Sequence, residues 1–275
     1  MHLDNRYVFP LLLASRKGGE RTVGSARNAS GVLAMIDHYL ERVSSYAGDI
    51  DYLFDLITIM VGFWFIVAEV ALFYFLFRFR RKPDCPTTYI DGTNKSHKRW
   101  INIPHILIII CDVVLIYGAT KVWYKIKQDM PPADYTIGVV SQQWAWTFVH
   151  PGKDGELHTD DDIKLIDELH LEKGKTYHYE LTSKDVLHSF SVPVFRLKQD
   201  AVPGRRIKGW FKPEKEGEFD IQCAEMCGIG HGVMGGRLIV HSPKGYETWL
   251  TEVETGKRGF LASASNQNKE KQQNP

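Results

Sequence analysis

Two long apolar runs restrict this chain more than anything else in it. Residues 53–77 and 103–124 are almost uninterrupted by charge, and each exceeds the roughly 20 residues that carry a helix across a bilayer core. Inside hydrocarbon every backbone amide needs an internal partner, so both runs must be helical. Between them lie Arg78, Arg80, Arg81 and Lys82, then Lys95, Lys98 and Arg99, against only Asp84 and Asp91. An excess of cations marks a cytoplasmic loop, so both termini and the long segment after residue 128 are expected to face outward. Trp100, Trp123 and Tyr124 sit where interfacial aromatics belong. Glu69 and Asp112 fall well inside the runs, where a carboxylate normally faces protein or water rather than lipid.

After residue 134 the pattern changes to short β runs separated by Gly, Pro and Asp turns. Strands are expected over 135–140, 144–150, 176–181, 186–192, 206–211, 218–223 and 236–241, which together suggest a sandwich or barrel. A short helix should close the domain over 244–255. Residues 32–46 carry apolar side chains at helical spacing and suggest an amphipathic helix on the membrane or on a partner. The expected organisation is an N-terminal extension (1–50), a transmembrane hairpin (51–128), an extracytoplasmic β domain (129–256) and a polar disordered tail (257–275). The apolar stretch 8–14 is short and broken by Pro10, unlike a cleaved signal peptide. A net charge of +1 gives no footprint for nucleic acid.

The chemistry concentrates in Cys223-Ala-Glu-Met-Cys227-Gly-Ile-Gly-His231-Gly-Val-Met234. Two thiols, an imidazole and a thioether recur within one glycine-rich loop, a soft donor set that suits copper or zinc. Of four cysteines, only Cys223 and Cys227 lie in the β half, and outside the cytoplasm a disulfide is the ordinary fate of such a pair. His231 and Met234 at ligand spacing argue for metal instead. His188, alternating with Val186, Phe190 and Val192 on the core side of its strand, supplies a second imidazole; His178 shares its face with Glu180 and is read as solvent-facing. Two thiolates with two imidazoles also suit a closed zinc site, whereas the nearby thioether favours copper. Met226 and its apolar neighbours are expected to keep water from the metal.

The loop 223–234, together with Asp185-Val-Leu-His188-Ser, Leu197-Lys-Gln-Asp200-Ala-Val-Pro-Gly-Arg205 and Gln143-Trp144-Ala-Trp146, resembles subunit II of haem–copper cytochrome c oxidase across roughly residues 50–255. The resemblance implies a cupredoxin-like Greek-key barrel beside the two-helix hairpin, with a binuclear copper (CuA) centre. By position, Cys223 and Cys227 would bridge, His188 and His231 would each bind one copper, and Met234 and the Glu225 carbonyl would be weak outer ligands. The Glu225 side chain would hold a magnesium shared with subunit I. Trp144 matches the tryptophan that receives electrons from cytochrome c. The acids of 150–169 (Asp154, Glu156, Asp160, Asp161, Asp162, Asp167, Glu168) would then steer that basic donor. Implied partners are subunit I, subunit III and the lipid membrane, with the bacterial inner membrane as location. The chain departs from the family in having His97 where a proton-uptake glutamate often precedes the tryptophan, and Phe190 where a tryptophan follows His-Ser. It also lacks a C-x-x-C-H haem motif, so the donor is a separate protein. The alternatives are the matching subunit of a copper-containing nitric oxide reductase and a membrane-tethered copper-delivery or structural zinc module.

Overall fold

A computed structural model describes residues 40–83, 89–152 and 154–256. Helix α1 spans Ala47–Arg78 and α2 spans Lys95–Trp123, continued by a π turn over Tyr124–Gln128. Both are longer than the apolar runs because their polar ends stay helical. At the start of α2, Asn94 Oδ1 accepts from Ser96 N at 2.9 Å and caps the helix. Both helices are long and apolar enough to cross a membrane, and none of their most apolar stretch is buried within the chain. That surface is left for lipid or other subunits. The helices approach closely where a Cβ on Gly118 would stand 3.2 Å from Leu53 Cδ2. Glu69 is half-buried and Asp112 exposed.

Ten strands follow, in two five-stranded sheets. The first runs β3 (Ile163–Ile166), β2 (Ala145–His150), β1 (Tyr135–Gln142), β5 (Tyr177–Ser183), β8 (Ile207–Phe211). The second runs β4 (Glu168–Glu172), β10 (Gly235–His241), β9 (Gly217–Cys223), β6 (His188–Val192), β7 (Leu197–Ala201). Pairs β1–β5 and β4–β10 are parallel, and the others are antiparallel. The result is the expected cupredoxin-like β domain, its core filled by Trp146, Phe148, Tyr179, Phe190 and Phe211 between the sheets. Helix α3 (Pro243–Glu254) begins with a Ser242 cap and packs Tyr246 and Trp249 into a small second core with Leu165.

Several expectations need correction. Strands β3, β4 and β7 were not anticipated. In β3 the buried Leu165 lies between exposed Lys164 and Ile166, so the segment reads as charged loop. Trp144 is in the turn before β2, and Val186 and Leu187 lie before β6 with 36% and 39% exposure. From residue 40 to 46 the chain is not helical. Val43 and Tyr46 enter the β-domain core, Ser44 bridges to Pro213, and Val43 N donates to Val194 O at 3.0 Å. These apolar residues recur at helical spacing yet serve an added edge segment. The rest of that predicted helix, the stretch 8–14, Cys85 and the tail lie outside the described residues.

Asp51 on α1 joins the hairpin to the β domain. It is fully buried and accepts from Arg196 Nε at 2.6 Å and Arg42 Nε at 2.7 Å. Arg196 also donates to the carbonyls of Leu40, Glu41 and Pro193.

Candidate metal centre

Register builds the site. Phe190 on β6 pairs with Cys223, the last residue of β9. His188, one pleat along the same face, therefore lies over the loop that leaves β9. That loop closes on itself, because Cys223 N donates to Met234 O at 3.1 Å where β10 begins. A short helical turn over His231–Val233 then swings His231 back toward Cys227. Gly228, at φ 120°, takes a backbone conformation that side-chain-bearing residues rarely adopt.

The two sulfurs are 3.7 Å apart and unlinked, against about 2.05 Å in a disulfide. His188 Nδ1 lies 3.9 Å from Cys223 Sγ, and His231 Nδ1 lies 3.7 Å from Cys227 Sγ. Met234 Sδ is 3.8 Å from Cys227 Sγ, and the Glu225 carbonyl is 3.3 Å from Cys223 Sγ. With metal–sulfur bonds of about 2.3 Å and metal–nitrogen bonds of about 2.0 Å, donors sharing one ion stand roughly 3.5–4 Å apart. The sulfur–sulfur and sulfur–nitrogen pairs here all fit that spacing, and the Glu225 carbonyl stands slightly closer. His188, Cys223 and Cys227 form a set with all ligand atoms within 4.8 Å of one another. His231 is not in that set; it sits beside Cys227. The donors are thus strung along the two sulfurs, further than a single tetrahedral ion gathers its ligands.

His188, Cys223, Cys227 and Met234 are buried, while Glu225 and His231 are half-buried. Burial and the neighbouring Cys223 push the Cys227 thiol up to about 11. A metal must therefore displace protons as it binds. Asp185, which the sequence reading gave no role, faces the far side of His188. Its Oδ1 accepts from His188 Nε2 at 2.9 Å, and its Oδ2 accepts from Gln143 N at 2.7 Å. Partial burial alone would raise its pKa, but bonds from His188, Gln143 and Val186 hold it below the ordinary carboxylate value. This contact leaves Nδ1 for the metal side. The available signal was a carboxylate three residues before a candidate ligand histidine.

Trp144 is 38% exposed and lies flat on Gly228 and Gly230, with no space for a Cβ at Gly230. Its Nε1 donates to the Cys227 carbonyl at 3.3 Å, and Gln143 Nε2 donates to the same oxygen at 2.8 Å. Trp146 is buried edge-on to His188 and Phe190. Met226 is not a shield; Met226, Ile229 and Val233 are 75%, 95% and 86% exposed and form an apolar rim. His178 is half-buried, its Nε2 bonded to the Pro131 carbonyl at 2.8 Å, away from the centre. Of the acidic run, Asp167 accepts from Trp146 N, Asp161 accepts from Thr159 Oγ1, and Asp162 is buried beneath its loop. Asp154, Glu156 and Asp160 remain outward.

The family profile described as cytochrome C oxidase subunit II, periplasmic domain, matches residues 135–242. The alternative cytochrome c oxidase subunit 2 of Bradyrhizobium diazoefficiens is 34% identical over 226 residues, covering 72% of this chain and 79% of the relative. The chain belongs to the cytochrome c oxidase subunit II family. A second member, cytochrome c oxidase subunit 2 of Cereibacter sphaeroides, is 28% identical over 243 residues, covering 78% of each protein. The crystal structure of the periplasmic domain of cytochrome oxidase subunit II from Bradyrhizobium japonicum is 32% identical. It covers 48% of this chain and 99% of that one, with a TM-score of 0.41. As a subunit II, this chain is one component of an oxidoreductase complex, and its paired thiols with His188 are a group able to bind metal.

Proposed function

We propose that this chain takes electrons from cytochrome c into a respiratory oxidase through a binuclear copper (CuA) centre. From there they pass to the haems of subunit I, where oxygen is reduced. The observation that carries the reading is the pairing of each imidazole with a different one of two unlinked thiols. A structural zinc ion would draw four donors to one point. A copper pair, when bound, supplies a one-electron store shared between two ions. Cys223 and Cys227 would hold it as thiolates after losing their protons, with His188 and His231 as the imidazole donors and Met234 and the Glu225 carbonyl as weak further donors.

The remaining residues fix that frame. Asp185 keeps the His188 proton on Nε2 and ties the ring to the Gln143 turn. The same turn carries Trp144, whose hydrogen bond to the Cys227 carbonyl couples an exposed indole to a ligand residue. Around it, the rim of Met226, Ile229 and Val233 gives a partner an apolar surface to cover. Asp154, Glu156 and Asp160 add negative charge that steers a basic cytochrome c. The Glu225 carboxylate forms no hydrogen bond or ion pair among the described residues and is available for a magnesium shared with subunit I. With subunits I and III beside the hairpin in a bacterial inner membrane, the β domain faces the periplasm. Rapid mixing of the oxidase with reduced cytochrome c tests this reading. Trp144→Ala should slow electron uptake about tenfold or more, a barrier change of at least 1.4 kcal/mol, with the copper spectrum intact. An unchanged rate would remove Trp144 from the route.

A further inference from the structure

The loop that carries Cys227 has its ends woven into a sheet and a middle that is not. Cys223 closes β9, and Ala224 N still donates to Ser189 O on β6 at 3.0 Å. From Glu225 to Val233, the main-chain hydrogen bonds among the described residues stay within the loop. Contacts from outside the loop must therefore fix where Cys227 stands. Two side chains make them, both on the Cys227 carbonyl: Gln143 Nε2 at 2.8 Å and Trp144 Nε1 at 3.3 Å. The glutamine bond is the shorter. Gly228 makes room for it, since a Cβ there would stand 3.0 Å from Gln143 Nε2.

Gln143 has a second hold on the centre. Its main-chain N–H donates to Asp185 Oδ2 at 2.7 Å, and Asp185 Oδ1 accepts from His188 Nε2 at 2.9 Å. One residue thus reaches both sides of the donor set, Cys227 through its side chain and His188 through Asp185. We infer that Gln143 is a positioning residue of the metal centre, setting where Cys227 stands relative to His188. The inference rests on the reading of this centre as a copper pair. Because the Asp185 bond comes from the main chain, replacing the side chain leaves His188 held and loosens only the Cys227 half. The disturbance is therefore one-sided.

Gln143→Leu keeps much of the bulk and removes the donor. In the intact oxidase, electron paramagnetic resonance of this variant should show the unpaired electron shared unequally between the two coppers. Copper loss to a copper(I) chelator should be about threefold to tenfold faster than in wild type, the size of one lost hydrogen bond. Asp51→Ala lies away from the loop and weakens the fold at the root of α1, so it separates positioning from general stability. It should keep the wild-type spectrum and the wild-type rate of copper loss. An equally shared electron and unchanged copper loss in Gln143→Leu would overturn the role, and so would the same acceleration in Asp51→Ala. A wild-type oxidase without a copper pair on this chain would overturn the copper reading, and this inference with it.

Discussion

His150 shows how much one side chain can set. It is buried beside Trp249, both ring nitrogens lack a partner, and burial lowers its pKa from 6.5 to about 4. The folded chain keeps this ring neutral while the unfolded chain protonates it near pH 6.5. Stability is therefore full above pH 6.5 and declines as pH falls toward about 4, by roughly 3 kcal/mol in all. Denaturant titrations at pH 7.5 and pH 5 should show about 2 kcal/mol of that loss, and His150→Leu should flatten it; an equal slope in the variant would assign the dependence elsewhere. The metal donors obey a different logic. As proposed donors, Cys223, Cys227, His231, Met234 and His188 could be picked out of the sequence because soft donors rarely cluster without a reason, and the fold brings them side by side. Asp185 was less so, since its role depends on a turn that returns the carboxylate onto His188 Nε2. His150 was invisible, as nothing in Phe-Val-His marks a histidine that α3 will cover.

Among the elements, the 223–234 loop and the Gln143–Trp144 turn work as one unit, joined through the Cys227 carbonyl. Gly230→Ala forces a methyl into the Trp144 ring. It should slow electron uptake from cytochrome c several-fold or more while the metal spectrum survives; wild-type kinetics would show that the indole contact is not on the route. The root of α1 makes a second unit. Asp51→Ala leaves the Arg196 guanidinium, 8% exposed, without its carboxylate, a change worth about 3–5 kcal/mol for a buried pair. A drop in the thermal midpoint of the complex checks it, and an unmoved midpoint would make the pair dispensable. Both long helices were legible from hydrophobicity alone, because bilayer thickness fixes their length. The strands were legible where apolar and polar residues alternate, as in β5. They were missed in β3, where one buried Leu165 between exposed neighbours mimics a loop, and in β4, where the buried run Leu169–Leu171 is only three residues long and flanked by glutamates. The non-helical path of residues 40–46 was also hidden, since only the docked β domain determines where Val43 and Tyr46 go.

In the whole molecule, a hairpin with little buried apolar surface carries a β domain with an exposed apolar rim at Met226, Ile229 and Val233 and exposed acids at Asp154, Glu156 and Asp160. Both surfaces are built for partners. Asp160→Asn should weaken cytochrome c binding at low ionic strength and lose its effect above about 0.15 M salt, where screening reaches about 8 Å; an effect independent of salt would rule out steering. Copper uptake should weaken as pH falls, because bridging requires both thiols to lose protons. Electron paramagnetic resonance of the oxidised complex, with metal analysis, reads the thiol pair most directly. The geometry predicts two coppers on this chain and one unpaired electron spread equally over both nuclei, a signal lost in Cys227→Ser. A single localised copper, one zinc, or a Cys223–Cys227 disulfide in the active oxidase would contradict it.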